Sequence, residues 1–218
     1  MSSDFIGYNR QQVITLVDSI QSNYDTLYNK LTSGVQNGFV AGMANAWICP
    51  DAVNFFNTEF TEAMRELVTD VNNIMRSVSE AINSSCQAYA NQAGDTWTRK
   101  DLTIREFQNY TISGVIKSYD DVLGQGGSRA QYEAAKDQLN AVKADCANAT
   151  AAITNASNRS GFIGADQQAA LHTALQTIDT KISNGFADII TKTNNRVNDA
   201  ITQFGAIGSG TASAYTAN

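Results

Sequence analysis

Apolar residues recur at helical spacing along most of this chain. Val13, Leu16, Val17, Ile20, Tyr24, Leu27 and Leu31 follow one another in steps of three and four, apart from the adjacent Leu16 and Val17, which predicts an amphipathic helix from about Asn9. Asn9 and Gln12 have the spacing of a capping box at its start. A second stripe, Phe56, Phe60, Ala63, Leu67, Val71, Ile74, Val78, Ile82 and Tyr89, predicts a helix from Pro50 to Ala93. At ~1.5 Å per residue such a helix is roughly 60 Å long and needs a partner along most of its length. The first helix is the nearest one, which predicts an antiparallel hairpin. Between the two lies Asn45-Ala46-Trp47-Ile48-Cys49-Pro50-Asp51. Proline cannot continue a helix but suits the first turn of one, so this stretch is a bend, with Asp51 beside the free N–H groups of the new helix.

Beyond Gly94 the pattern is less regular. Ile104, Phe107, Thr111, Val115 and Val122 hold a helical period, although Thr111, Ile112, Val115 and Ile116 are β-branched and also suit a strand. The expectation for 99–122 is helix, within a partly helical connector over 95–127 that ends in Gly124-Gln125-Gly126-Gly127. Ser128 and Gln131 repeat the capping pattern. A helix to about Ser157 follows, with Tyr132, Leu139, Val142, Cys146, Ala149 and Ile153 inward. After a bend at Gly161-Phe162-Ile163-Gly164, a last helix runs to Phe204 on Leu171, Leu175, Ile178, Ile182, Phe186, Ile189, Val197, Ile201 and Phe204. The small polar residues 207–218 are expected to be a disordered tail.

The two bends superpose at a shift of 115 residues, which takes Trp47 to Phe162, Cys49 to Gly164 and Phe56 to Leu171. The same shift takes Tyr24 to Leu139 without a gap. The chain therefore divides into a first hairpin over 1–94 with its bend at 43–50, the connector, and a second hairpin over 128–206 with its bend at 158–165. Each hairpin leaves an apolar face that its copy can cover. The expected class is all-α, with long antiparallel hairpins in a four-helix bundle and a monomeric pseudo-dimer in solution.

A helical hairpin with an aromatic-x-Gly bend resembles the WXG-motif proteins, the small substrates of type VII (ESX-like) secretion systems of Gram-positive bacteria. The first bend has Trp47 but Cys49 in place of the glycine, and the second has Gly164 but Phe162 in place of the tryptophan. The family's Tyr-x-x-x-Asp/Glu export signal is missing, since Ala93 stands four residues after Tyr89. The resemblance implies a non-enzymatic, virulence-associated protein, cytoplasmic before export and then secreted or on the cell surface. Its contacts with the secretion machinery, a co-secreted protein or a host protein would run through Trp47, Cys49, Pro50, Phe162 and Gly164. The alternatives are a structural or sensory coiled-coil module of a receptor or adhesin, and a pore-forming toxin. The Met1 start without a membrane segment favours the secretion reading over the receptor module, and the lack of an insertable apolar hairpin counts against the toxin.

Composition narrows the range of partners. The net charge is −6 and only 17% of residues are charged, which disfavours nucleic acid and anionic membranes as partners. No basic, apolar leader precedes residue 5, so no cleavable signal peptide is expected. No apolar run is long enough for membrane insertion. Cys49, Cys86 and Cys146 have neither a zinc spacing nor a disulfide framework and are read as buried thiols, with a Cys86–Cys146 bridge conceivable in an exported protein. His172, the only histidine, flanks Leu171 and is read as a surface residue. Neither Asp120-Asp121 nor Glu59/Glu62 forms a convincing acid–base pair. The glycine run before Ser128 lacks a phosphate-loop lysine. No catalytic residue, metal or cofactor is expected.

Overall fold

The computed structural model describes residues 6–119 and 124–216, and it is mostly helical. Strand β1 (Gly7–Tyr8) leads into helix α1 (Arg10–Asn29). Two π-helical turns, Lys30–Gly34 and Gln36–Val40, and a 3₁₀ turn, Met43–Asn45, complete the first arm. After the bend come α2 (Pro50–Phe55), a π-helical turn at Phe56–Phe60 and α3 (Thr61–Gln92). Helix α4 (Arg129–Ala156), β2 (Phe162–Ile163) and α5 (Ala165–Thr216) form the second half.

Three helix starts follow from local chemistry. Asn9 Oδ1 accepts the Gln12 N–H at 3.0 Å and caps α1. Ser128 Oγ accepts the Gln131 N–H at 3.3 Å and caps α4. Cys49 Sγ accepts the Ala52 N–H at 3.3 Å, a thiol in the place where Ser, Thr, Asp or Asn usually stands, and Pro50 opens α2. A π-turn bonds each N–H one residue further back than an α-turn and leaves a carbonyl over. At Phe56 the buried Thr61 hydroxyl takes that carbonyl at 2.6 Å.

The chain forms two compact units, each assembled from three separate pieces of sequence. They do not follow the hairpin boundaries, because each draws on both halves. The first unit comprises 1–31, 66–108 and 143–184. Its interior holds Leu16, Ile20, Leu27, Val71, Ile82, Cys86, Ile153, Leu175 and Ile178. Around that interior, α1 meets α3 where Tyr24 OH donates to Asn72 Oδ1 at 2.8 Å, and Lys30, which follows α1, reaches Asp145 of α4 at 2.7 Å. Helix α5 meets α3 through Lys181–Asp70 at 2.7 Å, and α4 where Thr150 Oγ1 donates to Asp179 at 2.9 Å. The second unit comprises 32–65, 109–142 and 185–218. An aromatic cluster fills it: Phe56 and Phe60 lie 5.0 Å apart between ring centroids, Phe39 and Phe60 5.3 Å, and Phe60 and Tyr110 5.7 Å. Here Gly42 passes so close to α4 that a β-carbon on it would lie 3.0 Å from Ala135 Cβ.

Two expectations are corrected. Residues 95–119 contain no helix; they run as an extended strap with a single turn near Gly114. Val122 and the pair Asp120-Asp121 lie outside the described residues. The helical period gives way because the helices satisfy the strap's backbone with side-chain amides. In the first unit, Asn83 Oδ1 accepts the Lys100 N–H at 2.8 Å and Asn83 Nδ2 donates to the Lys100 carbonyl at 3.0 Å. Gln21 does the same for Thr103, at 2.7 and 3.2 Å. In the second unit, Gln36 clasps Thr111 at 2.7 and 3.2 Å. Trp97, Leu102, Tyr110, Ile112 and Ile116 are the strap's buried anchors. The second correction is the tail, since α5 continues through 207 to Thr216. The apolar stripe nevertheless leaves the interior near the end of α5, and Ile201 and Phe204 are exposed.

Candidate functional site

In the second unit the first bend is an aromatic plug. Trp47 is buried, its ring centroid lies 5.9 Å from that of Phe55, and its Nε1–H donates to Gln125 Oε1 at 3.2 Å. Cys49 is buried behind it, and burial pushes its thiol pKa up, against a smaller downward pull from the Ala52 amide. Its backbone is extended, with φ −171°, so glycine is not required there. Pro50 is exposed.

The residues leading into α4 close over this bend. Ile48 and Gly126 exchange backbone hydrogen bonds of 2.8 and 2.9 Å in an antiparallel bridge, and the Ser128 N–H donates to the Ala46 carbonyl at 3.2 Å. Gly127, at φ +134°, passes so close to Ala46 that no side chain fits. A cavity of about 300 Å³, lined by Trp47, Gln125, Arg129, Tyr132, Val197 and Ile201, adjoins the clasp.

In the first unit the second bend is closed in the same way. Gly7 pairs with Ile163 and Tyr8 with Phe162, antiparallel, and the Asn9 N–H donates to the Gly161 carbonyl at 2.7 Å. Phe162 is buried and Gly164 is exposed. Gly164 has φ +115° and Gly161 has φ +81°, conformations that a side chain strains. A β-carbon on Gly161 would also lie 2.8 Å from Val13 N.

The two clasps therefore use equivalent bonds. Asn9 N to Gly161 O corresponds to Ser128 N to Ala46 O, and Gly7↔Ile163 corresponds to Ile48↔Gly126. The bends are related by 115 residues, as the sequence pattern suggests. The helix starts, Arg10 and Arg129, are related by 119, so the first arm is one turn longer and a gapless repeat does not extend to its start. The sequence carries a signal for this second alignment. Gly7-Tyr8-Asn9-Arg10-Gln11-Gln12 and Gly126-Gly127-Ser128-Arg129-Ala130-Gln131 share Gly-x-[Asn/Ser]-Arg-x-Gln. Reading the glycines as a connector hid it.

No family model, curated protein or solved structure compared with the chain matches it.

The titratable groups outside the bends are placed as follows. His172 is half-buried rather than on the surface, with Nδ1 2.8 Å from Ser157 Oγ. Ser157 is fully buried, and its hydroxyl also lies 2.6 Å from the Thr154 carbonyl. Cys49, Cys86 and Cys146 are free and buried, and no Cys86–Cys146 bridge is present. Burial pushes the Cys86 and Cys146 thiols up to about 12. Glu59 pairs with Arg196 in the second unit, and Glu62 with Arg65. Among the described residues no cluster of three or more His, Cys, Asp or Glu converges on a metal position, and no helix is long and apolar enough to cross a membrane.

Proposed function

We propose that the chain is two helical hairpins fused into one antiparallel four-helix bundle, a pseudo-dimer that works through protein–protein contacts. Its place is that of a non-enzymatic substrate or targeting partner of a type VII (ESX-like) secretion system in a Gram-positive bacterium. It is cytoplasmic before export and then secreted or held at the cell surface. The observation that carries this reading is the matched pair of clasps. Each bend is closed by the lead-in of the opposite hairpin through equivalent hydrogen bonds, which is what two interlocked copies of one hairpin require. The incomplete aromatic-x-Gly bends point in the same direction, with Cys49 capping a helix where the resembling family has glycine.

Burial gives Trp47 and Phe162 a supporting role in this reading. The recognised positions are then those that each bend exposes by itself, Pro50 in the second unit and Ile163 with Gly164 in the first. The test is export. The chain is expressed in a Gram-positive host with its type VII system intact or deleted, and culture medium is compared with lysate. The proposal expects export only from the intact host, with Pro50→Arg and Ile163→Arg reducing it while thermal stability stays unchanged. Equal amounts of chain in both media would refute it.

A further inference from the structure

The first unit has an open groove of about 640 Å³ between α3 and α5. Ile74, Val78, Ile82, Phe162 and Leu171 form its floor, and Ser77, Ala81, Ala170 and Ala174 keep its walls low. Its ends are set by the Asp70–Lys181 ion pair and by the bond from Tyr89 OH to Gln167 Oε1 at 2.8 Å. Along α3 it extends from Asn73 to Ser85, about 18 Å at the helical rise. At ~3.3 Å per residue that length holds five or six residues of extended chain.

What such a groove takes is indicated on the other face of α3 within the same unit. There the strap lies extended, its apolar side chains inward. Side-chain amides from the helices grip its backbone N–H and C=O groups, Asn83 at Lys100 and Gln21 at Thr103. The open groove offers related chemistry, an apolar floor with the carboxamide N–H groups of Asn73 and Gln167 and the hydroxyls of Ser77 and Ser85 along its rim, while the two carboxamide oxygens already accept from Arg76 and Tyr89. One property differs. The strap's groove is edged by ion pairs, Lys100–Asp18, Arg105–Asp25 and Arg76–Glu106. The residues lining the open groove carry no charge, and the Asp70 and Lys181 charges at its end are paired with each other. A charge drawn in there would lose its water without gaining a partner.

We infer that the α3–α5 groove is a docking site for an extended, uncharged polypeptide segment of five or six residues, gripped by its backbone and seated through alternate apolar side chains. This mode gives affinity through main-chain bonds and selectivity through what the floor excludes. The site does not depend on the secretion reading.

The test uses the full chain with methyl-labelled isoleucine, leucine and valine. The probe is the synthetic peptide acetyl-Ser-Val-Gln-Leu-Ser-Val-amide, titrated by NMR. The expected result is saturable shifts at Ile74, Val78, Ile82 and Leu171, with strap methyls such as Leu102 and Ile112 unmoved. Replacing the peptide's two valines by lysine should weaken binding at least tenfold. So should the groove-filling variant Ala170→Phe at an exposed wall position. The assignment is overturned if these methyls do not respond to the unmodified chain's titration, or if the lysine peptide binds equally well. It is also overturned if n-dodecanol saturates the same methyls and the peptide does not, which makes the groove an aliphatic-ligand site. Shifts that grow with protein concentration alone would show a second copy to be the occupant.

Discussion

Replacing Asn83 by Ala removes the centre of the strap's anchorage. The side chain is buried and serves four strap groups, one of them the Asp101 carboxylate, to which its Nδ2 donates at 3.2 Å. Its Oδ1 accepts from Trp97 Nε1–H at 2.9 Å and from the Lys100 N–H at 2.8 Å, and its Nδ2 donates to the Lys100 carbonyl at 3.0 Å. The indole N–H is buried with Asn83, and leaving it without an acceptor costs about 2 kcal/mol. The two Lys100 groups are half-buried and partly recover water, so each costs about 0.5–1 kcal/mol. Alanine returns up to ~0.5 kcal/mol in helix propensity. The net expectation is a loss of about 3 kcal/mol, roughly a hundredfold in the unfolding constant. Urea unfolding followed by tryptophan fluorescence measures it. Hydrogen exchange at the Lys100 amide localises it, since that amide should lose protection while the helix amides of α1 keep theirs. Trp97→Phe keeps a ring in place and removes only the N–H, so its cycle with Asn83→Ala isolates the indole bond. A loss below about 1 kcal/mol, or an unchanged Lys100 amide, would refute the view that side-chain amides hold the strap.

Other expectations follow from the same geometry. Gly161→Ala forces a left-handed φ on a side chain and sets a β-carbon against Val13 N, so it should destabilise by about 2 kcal/mol or more, read as a lowered melting temperature. Trp47→Ala empties a buried aromatic site and should cost about 3–5 kcal/mol in a urea melt; a change below 1 kcal/mol would mean that Trp47 is not the plug described. The Cys86 and Cys146 thiols lie near 12 when folded against an ordinary value of 9.0, and Tyr132 near 12 against 10.0. The unfolded chain therefore releases these protons first as pH rises. Their contribution to stability is whole below pH 9 and is lost between 9 and 12, so alkaline unfolding should be delayed in Cys86→Ala after correction for its cavity. A thiol reagent at pH 8 should leave both cysteines unmodified until urea is added. Light scattering should give a monomer near 23.5 kDa, and a stable dimer would remove the physical reason for two mutually closing hairpins.

Much of the fold is written in the order of residues because it rests on local physics. The capping pairs Asn9/Gln12 and Ser128/Gln131, the proline at the start of α2 and the stripes of α3, α4 and most of α5 each act within a turn or two. That is the range over which sequence pattern and structure are tied. The strap was not legible this way. Its helical period is real, but the extended form wins because Asn83, Gln21 and Gln36, distant in sequence, supply the backbone bonds that a helix would have supplied to itself. The bends were half legible. Their aromatic and glycine positions could be located, whereas the burial of Trp47 and the clasping role of Gly7 and Gly126 depend on segments distant in sequence. The apolar stripe of α5 pointed inward as far as Phe204, yet Ile201 and Phe204 are exposed. Periodicity sets which face of a helix is apolar; only tertiary contacts decide how far along the helix that face is covered.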